Sequence, residues 1–285
     1  MLPFKQILMP VDYSTCGTSV IPYVKEMLHR FSARLTLVHA YGAEALHHIH
    51  LPLSDPGLIT AAKAFEQERL TAFAQEFFAG EHVECFTEVG EAGAAVENVI
   101  RRQGADLVML ATQGSGILRR LLLGSVAAKI LHDVSCAVWT ATGMALAARC
   151  HQLPYKTILC AIDESEEAPV VLTAAAALAR SYHAQLRLVH IIEVPKGEDI
   201  DLAIYEKEMI ERANQRLREL KGSLQIDARH SVLLGPREDA IRQEAISRHA
   251  DLIVAGRGRA QDNISRMWSH LYSTVRESPC PVLSI

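Results

Sequence analysis

From Ala111 the chain reads Ala111-Thr112-Gln113-Gly114-Ser115-Gly116, then runs through Ile117–Leu123 to Gly124-Ser125. Gly114 and Gly116 let the backbone turn toward a ligand with no Cβ in the way. Successive backbone N–H groups in such a turn form a nest for an anion. Gly124-Ser125 then opens a helix, whose first N–H groups are unpaired and carry positive partial charge. Two anion-binding devices thus flank one loop. Ser115 and Ser125 add hydroxyl donors, while Arg119 and Arg120 read as solvated. The plain alternative is a tight turn that only joins strand to helix.

Other reactive types are scattered. His47, His48 and His50, with Asp55 nearby, have the chemistry of zinc ligands. Their spacing matches no closed structural site, so no metal is assigned. His39 and His190 sit in apolar strands and read as structural. No G-x-S-x-G elbow and no G-x-x-x-x-G-K-(S/T) loop occurs, and nothing places a Ser, a His and an Asp together. No catalytic residue is assigned.

The elements that position the loop occur twice. Ile7-Leu8-Met9-Pro10-Val11-Asp12-Tyr13-Ser14 is echoed by Ile158-Leu159-Cys160-Ala161-Ile162-Asp163-Glu164-Ser165. Leu35–His39 is echoed by Leu186–His190 at the same offset. Val89-Gly90, Ala105–Val108 and Ser135–Val138 reappear as Leu234-Gly235, Ala250–Ile253 and Pro279–Val282. Ordered matches with nearly constant offsets indicate a duplication. Domains are expected over 1–143 and 154–285, joined by a short segment that suits two packed domains.

Within the first copy, apolar runs at Gln6–Met9, Leu35–His39, Val83–Val89, Leu107–Leu110 and Ala137–Thr140 alternate with helical periodicity. Ser14 can cap a helix carrying Val20, Tyr23, Val24, Met27, Leu28 and Phe31. A helix around Ile59–Phe78 should present Phe65, Leu70, Phe73 and Phe77 as its apolar stripe. Helices are also expected at Ala94–Arg102 and Val126–Leu131. Continuous apolar strands between helices imply an α/β fold, a parallel sheet covered on both faces. In such sheets ligands lie beyond the carboxyl ends of the strands, where the strand order reverses.

Bulk properties narrow the class. Hydrophobic residues make up 49% of the 285 and charged residues 22%, with a net charge of −4. That supports a packed core and disfavours nucleic acid held by bulk charge. The six cysteines contain no C-x-x-C pair, and no stretch reads as a signal peptide or membrane span. The expected setting is cytoplasmic, with mostly buried thiols.

The loop, the Val11-Asp12-x-Ser14 turn and Asp106-Leu107-Val108 together resemble the universal stress protein family, over essentially the whole chain twice. Its ATP-binding subgroup carries G-x-x-G, nine residues, then G-(S/T). Gly114, the nine residues Ser115–Leu123 and Gly124-Ser125 match, while Ala111 replaces the first glycine. The resemblance implies two tandem Rossmann-like domains, each with a five-stranded parallel sheet. It also implies that their last strands pair as an intramolecular pseudo-dimer, and that two chains can associate as a homodimer. Asp12 would contact adenosine, with Pro10 and Ala40 lining the base pocket. Ala111, Gly114, Ser115, Gly116, Gly124, Ser125 and Val126 would surround ribose and phosphates of ATP, alone or with Mg2+.

The second copy has Arg259 in place of Gly114 and Ser269-His270 in place of Gly124-Ser125. It is expected to be degenerate for ATP. Arg257, Arg259 and Arg266 are expected to pair with acidic residues rather than hold another anion. The reading that follows is a stress-response sensor or adaptor with an unidentified protein partner and little turnover. Two alternatives stand beside it: a slow, metal-assisted ATPase, and a module binding a lipid or a protein instead of a nucleotide.

Overall fold

The computed structural model describes residues 4–42, 56–112, 123–143, 145, 153–193, 202–257 and 264–285. The chain divides into two compact units, Pro3–Cys150 and His151–Ile285. They are called the first and second halves below.

The first half runs β1 (Gln6–Pro10), α1 (Thr15–Thr18), α2 (Ile21–Phe31), β2 (Arg34–Tyr41), α3 (Pro56–Phe77), β3 (Val83–Val89), α4 (Ala92–Gln103), β4 (Leu107–Ala111), α5 (Ser125–Asp133) and β5 (Ala137–Ala141). The second runs β6 (Thr157–Ile162), α6 (Ala168–Tyr182), β7 (Gln185–Ile192), α7 (Leu202–Ser223), β8 (Arg229–Leu234), α8 (Arg237–Ser247), β9 (Leu252–Ala255), α9 (Ile264–Glu277) and β10 (Val282–Ser284). In the first half the strand order is β3-β2-β1-β4-β5, and in the second β8-β7-β6-β9-β10. Every pairing within each half is parallel. Each half is therefore a five-stranded, doubly wound α/β domain. Its order reverses between the first and fourth strands, which opens a crevice beyond β1 and β4.

Burial explains the strands. Ile7, Leu8, Leu37, Leu107, Val108, Met109, Val138 and Trp139 have essentially no exposed surface, as strands covered on both faces require. The Tyr23 ring of α2 packs on Trp139 with centroids 5.0 Å apart.

Two helix expectations change. The segment after Ser14 forms two helices. Ser14 caps only the short α1, its Oγ accepting from Gly17 N at 2.9 Å. Pro22 lies in the first turn of α2, where its missing N–H costs nothing. In α3, Phe65 is 64% exposed, whereas Leu70 and Phe73 are buried and Phe77 is half-buried. Phe65 lies five residues before Leu70, well round the helix at 100° per residue, so it misses the buried stripe.

Asp106, which precedes β4, fixes the start of β1. Its carboxylate accepts from Lys5 N at 2.8 Å and Gln6 N at 3.1 Å. Asp251 does the same for Lys156 N and Thr157 N, at 2.8 and 2.9 Å. The aspartate in each Ala-Asp-Leu run is thus a splice between two strands. Replacing Asp106 by Ala leaves two strand-end donors without their charged acceptor, a cost of about 1.5–3 kcal/mol. A urea titration that follows the first half should shift its midpoint to lower denaturant with unchanged slope.

In the second half, His230 joins β8 to α7. Its Nδ1 takes the Lys221 ammonium at 3.0 Å and its Nε2 faces Asn214 Oδ1 at 3.0 Å. Desolvation, then the Lys221 and Arg218 charges, hold its pKa below the ordinary imidazole value. The folded protein therefore binds this proton less readily than the unfolded chain. Stability from this site is complete above the unfolded pKa of about 6.5. It declines as pH falls from there through the folded value. Thermal melts between pH 7.5 and 5 should show that decline, and His230→Gln should flatten it.

Among the described residues no helix is long and apolar enough to cross a membrane. Cys160 and Cys280 are buried, and Cys16, Cys85 and Cys136 are half-buried. Cys136 is thus less covered than its repeat position suggested.

Candidate functional site

The crevice of the first half holds a cleft of about 290 Å³. Seven of the residues expected around a ligand line it: Pro10, Asp12, Ala40, Ala111, Gly124, Ser125 and Val126. Gly114, Ser115 and Gly116 lie outside the described residues, as do Arg119 and Arg120.

Asp12 is set by the turn after β1. Its Oδ1 accepts from Ser14 N at 3.0 Å and from Ser14 Oγ at 2.7 Å. The same hydroxyl caps α1, so the carboxylate, the serine and the helix are locked together. Gly17 is required here, because a Cβ on it would stand 2.5 Å from Asp12 Oδ1. With Oδ1 committed, Oδ2 is the oxygen that can accept from a ligand.

Opposite Asp12 stands the start of α5. Gly124 N donates to Thr112 O at 2.8 Å, clasping the two ends of the glycine loop. A Cβ on Gly124 would sit 3.1 Å from that carbonyl oxygen, so a larger residue must push the clasp apart. Gly124 is also the N-cap, and it offers no side chain to the first turn. The N–H groups of Ser125, Val126 and Ala127 have no intrahelical acceptor, and these three residues line the cleft.

The walls are small and apolar. Val38 and Leu110 form the floor with Pro10, and Ala92 and Val96 of α4 close one side. Of the described lining residues none is cationic. His39 reaches the cleft edge, but its ring is engaged. Its Nδ1 lies 2.7 Å from Val11 O and its Nε2 lies 3.6 Å from Glu66 Oε2. This is the structural role expected for it, and His190 repeats it with Nδ1 2.9 Å from Ile162 O.

In the second half the part of the crevice that faces α8 and α9 is reduced to about 50 Å³. Asp163 keeps the Asp12 turn, accepting from Ser165 N at 3.1 Å and Ser165 Oγ at 2.5 Å. Ile191 stands where Ala40 stands, Arg237 where Ala92 stands, and Ile241 where Val96 stands, and all three line the remnant. The Arg237 side chain leans toward Glu193, with Nε 3.5 Å from Oε1. The glycine loop alone does not reveal these three residues. The signal was present at the repeat offset, as two alanines exchanged for isoleucine and arginine. Arg259, and the side chains of Arg266, Ser269 and His270, lie outside the described residues. So do His47, His48, His50 and Asp55.

The model of the universal stress protein family matches residues 3–141 and again residues 154–285. A universal stress protein of Thermus aquaticus, encoded in the QAH/OAS sulfhydrylase 3′ region, is 35% identical over 136 residues. That match covers 46% of this chain and 98% of the relative. Two solved structures share the fold over the whole length. A universal stress protein from Archaeoglobus fulgidus superposes with TM-score 0.70 at 19% identity, covering 98% of this chain and 95% of its own. A Pseudomonas aeruginosa protein described as a putative universal stress protein gives 0.71 at 14%, covering 99% and 93%.

Proposed function

The chain belongs to the universal stress protein family in both halves, and on that premise we propose that its first half binds ATP or a related adenine nucleotide while its second half does not. The observation that carries this reading is the difference between two copies of one crevice. The first is about 290 Å³ and walled by Ala40, Ala92 and Val96. The second, on the side facing α8 and α9, is about 50 Å³ and walled by Ile191, Arg237 and Ile241.

The donors and acceptors of the open cleft suit such a ligand. Asp12 Oδ2 accepts from the hydroxyl or amine hydrogens of adenosine. Pro10, Val38 and Ala40 give the base a flat apolar bed. The uncapped first turn of α5 supplies neutral N–H donors and a favourable dipole to phosphate oxygens. Mg2+, when present, would neutralise phosphate charge that no described lining cation offsets.

The same inventory favours holding over turnover. Asp12 and His39 are the carboxylate and imidazole among the described lining residues, and each is tied into the fold. No lysine or hydroxyl in a P-loop arrangement serves a leaving phosphate. The protein is thus a nucleotide-responsive sensor or adaptor, and its output passes to a partner. Purified full-length chain should show an ATP-dependent rise in melting temperature. At a hundred times the dissociation constant, ligand stabilises by about 2.7 kcal/mol. Phosphate release should stay at the background of a Gly124→Val variant. Absence of both the thermal shift and any co-purified nucleotide defeats the reading.

A further inference from the structure

The second half holds another cavity, of about 310 Å³, lined by α6 and α7 rather than by the α8 and α9 residues of the reduced cleft. In the first half the Tyr13 side chain takes the part of the matching place beside His39. There Tyr13 follows Asp12 in a left-handed conformation, φ 56°. Its ring lies against His39, centroids 4.7 Å apart, and against Phe73 at 5.7 Å. The Arg69 guanidinium covers the ring at 3.8 Å. Burial pushes the Tyr13 pKa up to about 12, as expected for an enclosed phenol.

In the second half Glu164 occupies the Tyr13 position, and its carboxylate pairs with Arg216 where both line the cavity. The space behind them stays open. Its floor is apolar, from Ala168, Ala213 and Leu217. His190 lines it with a side chain only 9% exposed. In the neutral ring His190 Nδ1 must carry the proton, because Ile162 O can only accept. Nε2 is then the acceptor of the ring. Glu164 Oε1, another acceptor, is 4.0 Å away and cannot satisfy it.

An anion is disfavoured. Glu164 neutralises Arg216, and Asp163 adds negative charge. The start of α6 offers no free amide to compensate. Ala168 N is bonded to Ser165 O, Val170 N to Glu167 O, and Pro169 has none. We propose that this cavity binds a small neutral aromatic molecule bearing a hydroxyl or N–H donor, a phenol being the simplest class. The ring occupies the volume that Tyr13 fills in the first half, under the Arg216 guanidinium. The donor meets His190 Nε2. This site is independent of nucleotide binding in the first half.

The test uses full-length protein with saturating ATP and two probes, 2-naphthol and 2-methoxynaphthalene, titrated by fluorescence and checked by equilibrium dialysis. The expected result is one saturable 2-naphthol site per chain, with the methoxy compound at least about tenfold weaker because it lacks the donor. Glu164→Tyr, which writes the first half's plug into the second, should abolish binding. Leu217→Trp should do the same by filling the floor, and serves if the first variant does not fold. No saturable binding overturns the proposal, as do equal affinities for the two probes. Loss of 2-naphthol on adding ATP, or full binding retained by either folded variant, overturns it as well.

Discussion

Writing the second half's residues into the first, as Ala40→Ile with Ala92→Arg, is expected to abolish nucleotide binding while leaving the fold intact. Both positions line the open cleft, and both exchanged residues already line the reduced one in a folded copy of the same domain. Ala40 lies near the end of β2 and Ala92 opens α4, so neither substitution breaks an element. The isoleucine removes the bed for the base, and the arginine takes volume from the ligand. A loss of at least about a hundredfold in affinity corresponds to about 2.7 kcal/mol. The ATP-dependent thermal shift should vanish, with the melting temperature of unliganded protein changed little. A normal shift in the double variant would mean that the cleft is not where nucleotide binds.

The largest effect on stability is expected from Trp139→Ala. Trp139 is fully buried on β5, beside Met109 of β4 and against the Tyr23 ring. Truncation removes the largest fully buried side chain of the first half. It leaves a void between strand and helix that rigid neighbours cannot close. Such changes cost about 3–5 kcal/mol, a large part of the 5–15 kcal/mol that typical domains have. Calorimetry should show the first half melting well below its wild-type temperature. Nucleotide should partly restore it, because β4 carries Ala111 and Thr112 into the cleft. A melting profile like the wild type would contradict the packing described for β5 and α2.

How far the sequence reached depends on the scale of the signal. The duplication and the alternation of strands and helices were legible because buried parallel strands are continuously apolar. Asp12, Gly124 and Ser125 were legible because a turn after a strand and a glycine before a helix restrict residue type locally. The strand order was not, since nothing within β1 says that β2 and β4 flank it. The loss of the second cleft was traced to its glycine loop. The walls contribute as well, through Arg237 and Ile191, which lie far from that loop in sequence. Phe65 misled because residue type was read ahead of helical phase. The role of Ser14 was only half legible, since its hydroxyl both caps α1 and orients the Asp12 carboxylate. Glu164 is not legible as a meaningful substitution, because the significance of a missing tyrosine depends on the packing of the Tyr13 ring.

Native mass spectrometry of the full chain titrated with ATP tests the central claim most directly. The account predicts one nucleotide per chain, lost in Ala40→Ile/Ala92→Arg and retained in Ile191→Ala. Two nucleotides per chain in the wild-type protein, or none at millimolar ATP, would contradict it.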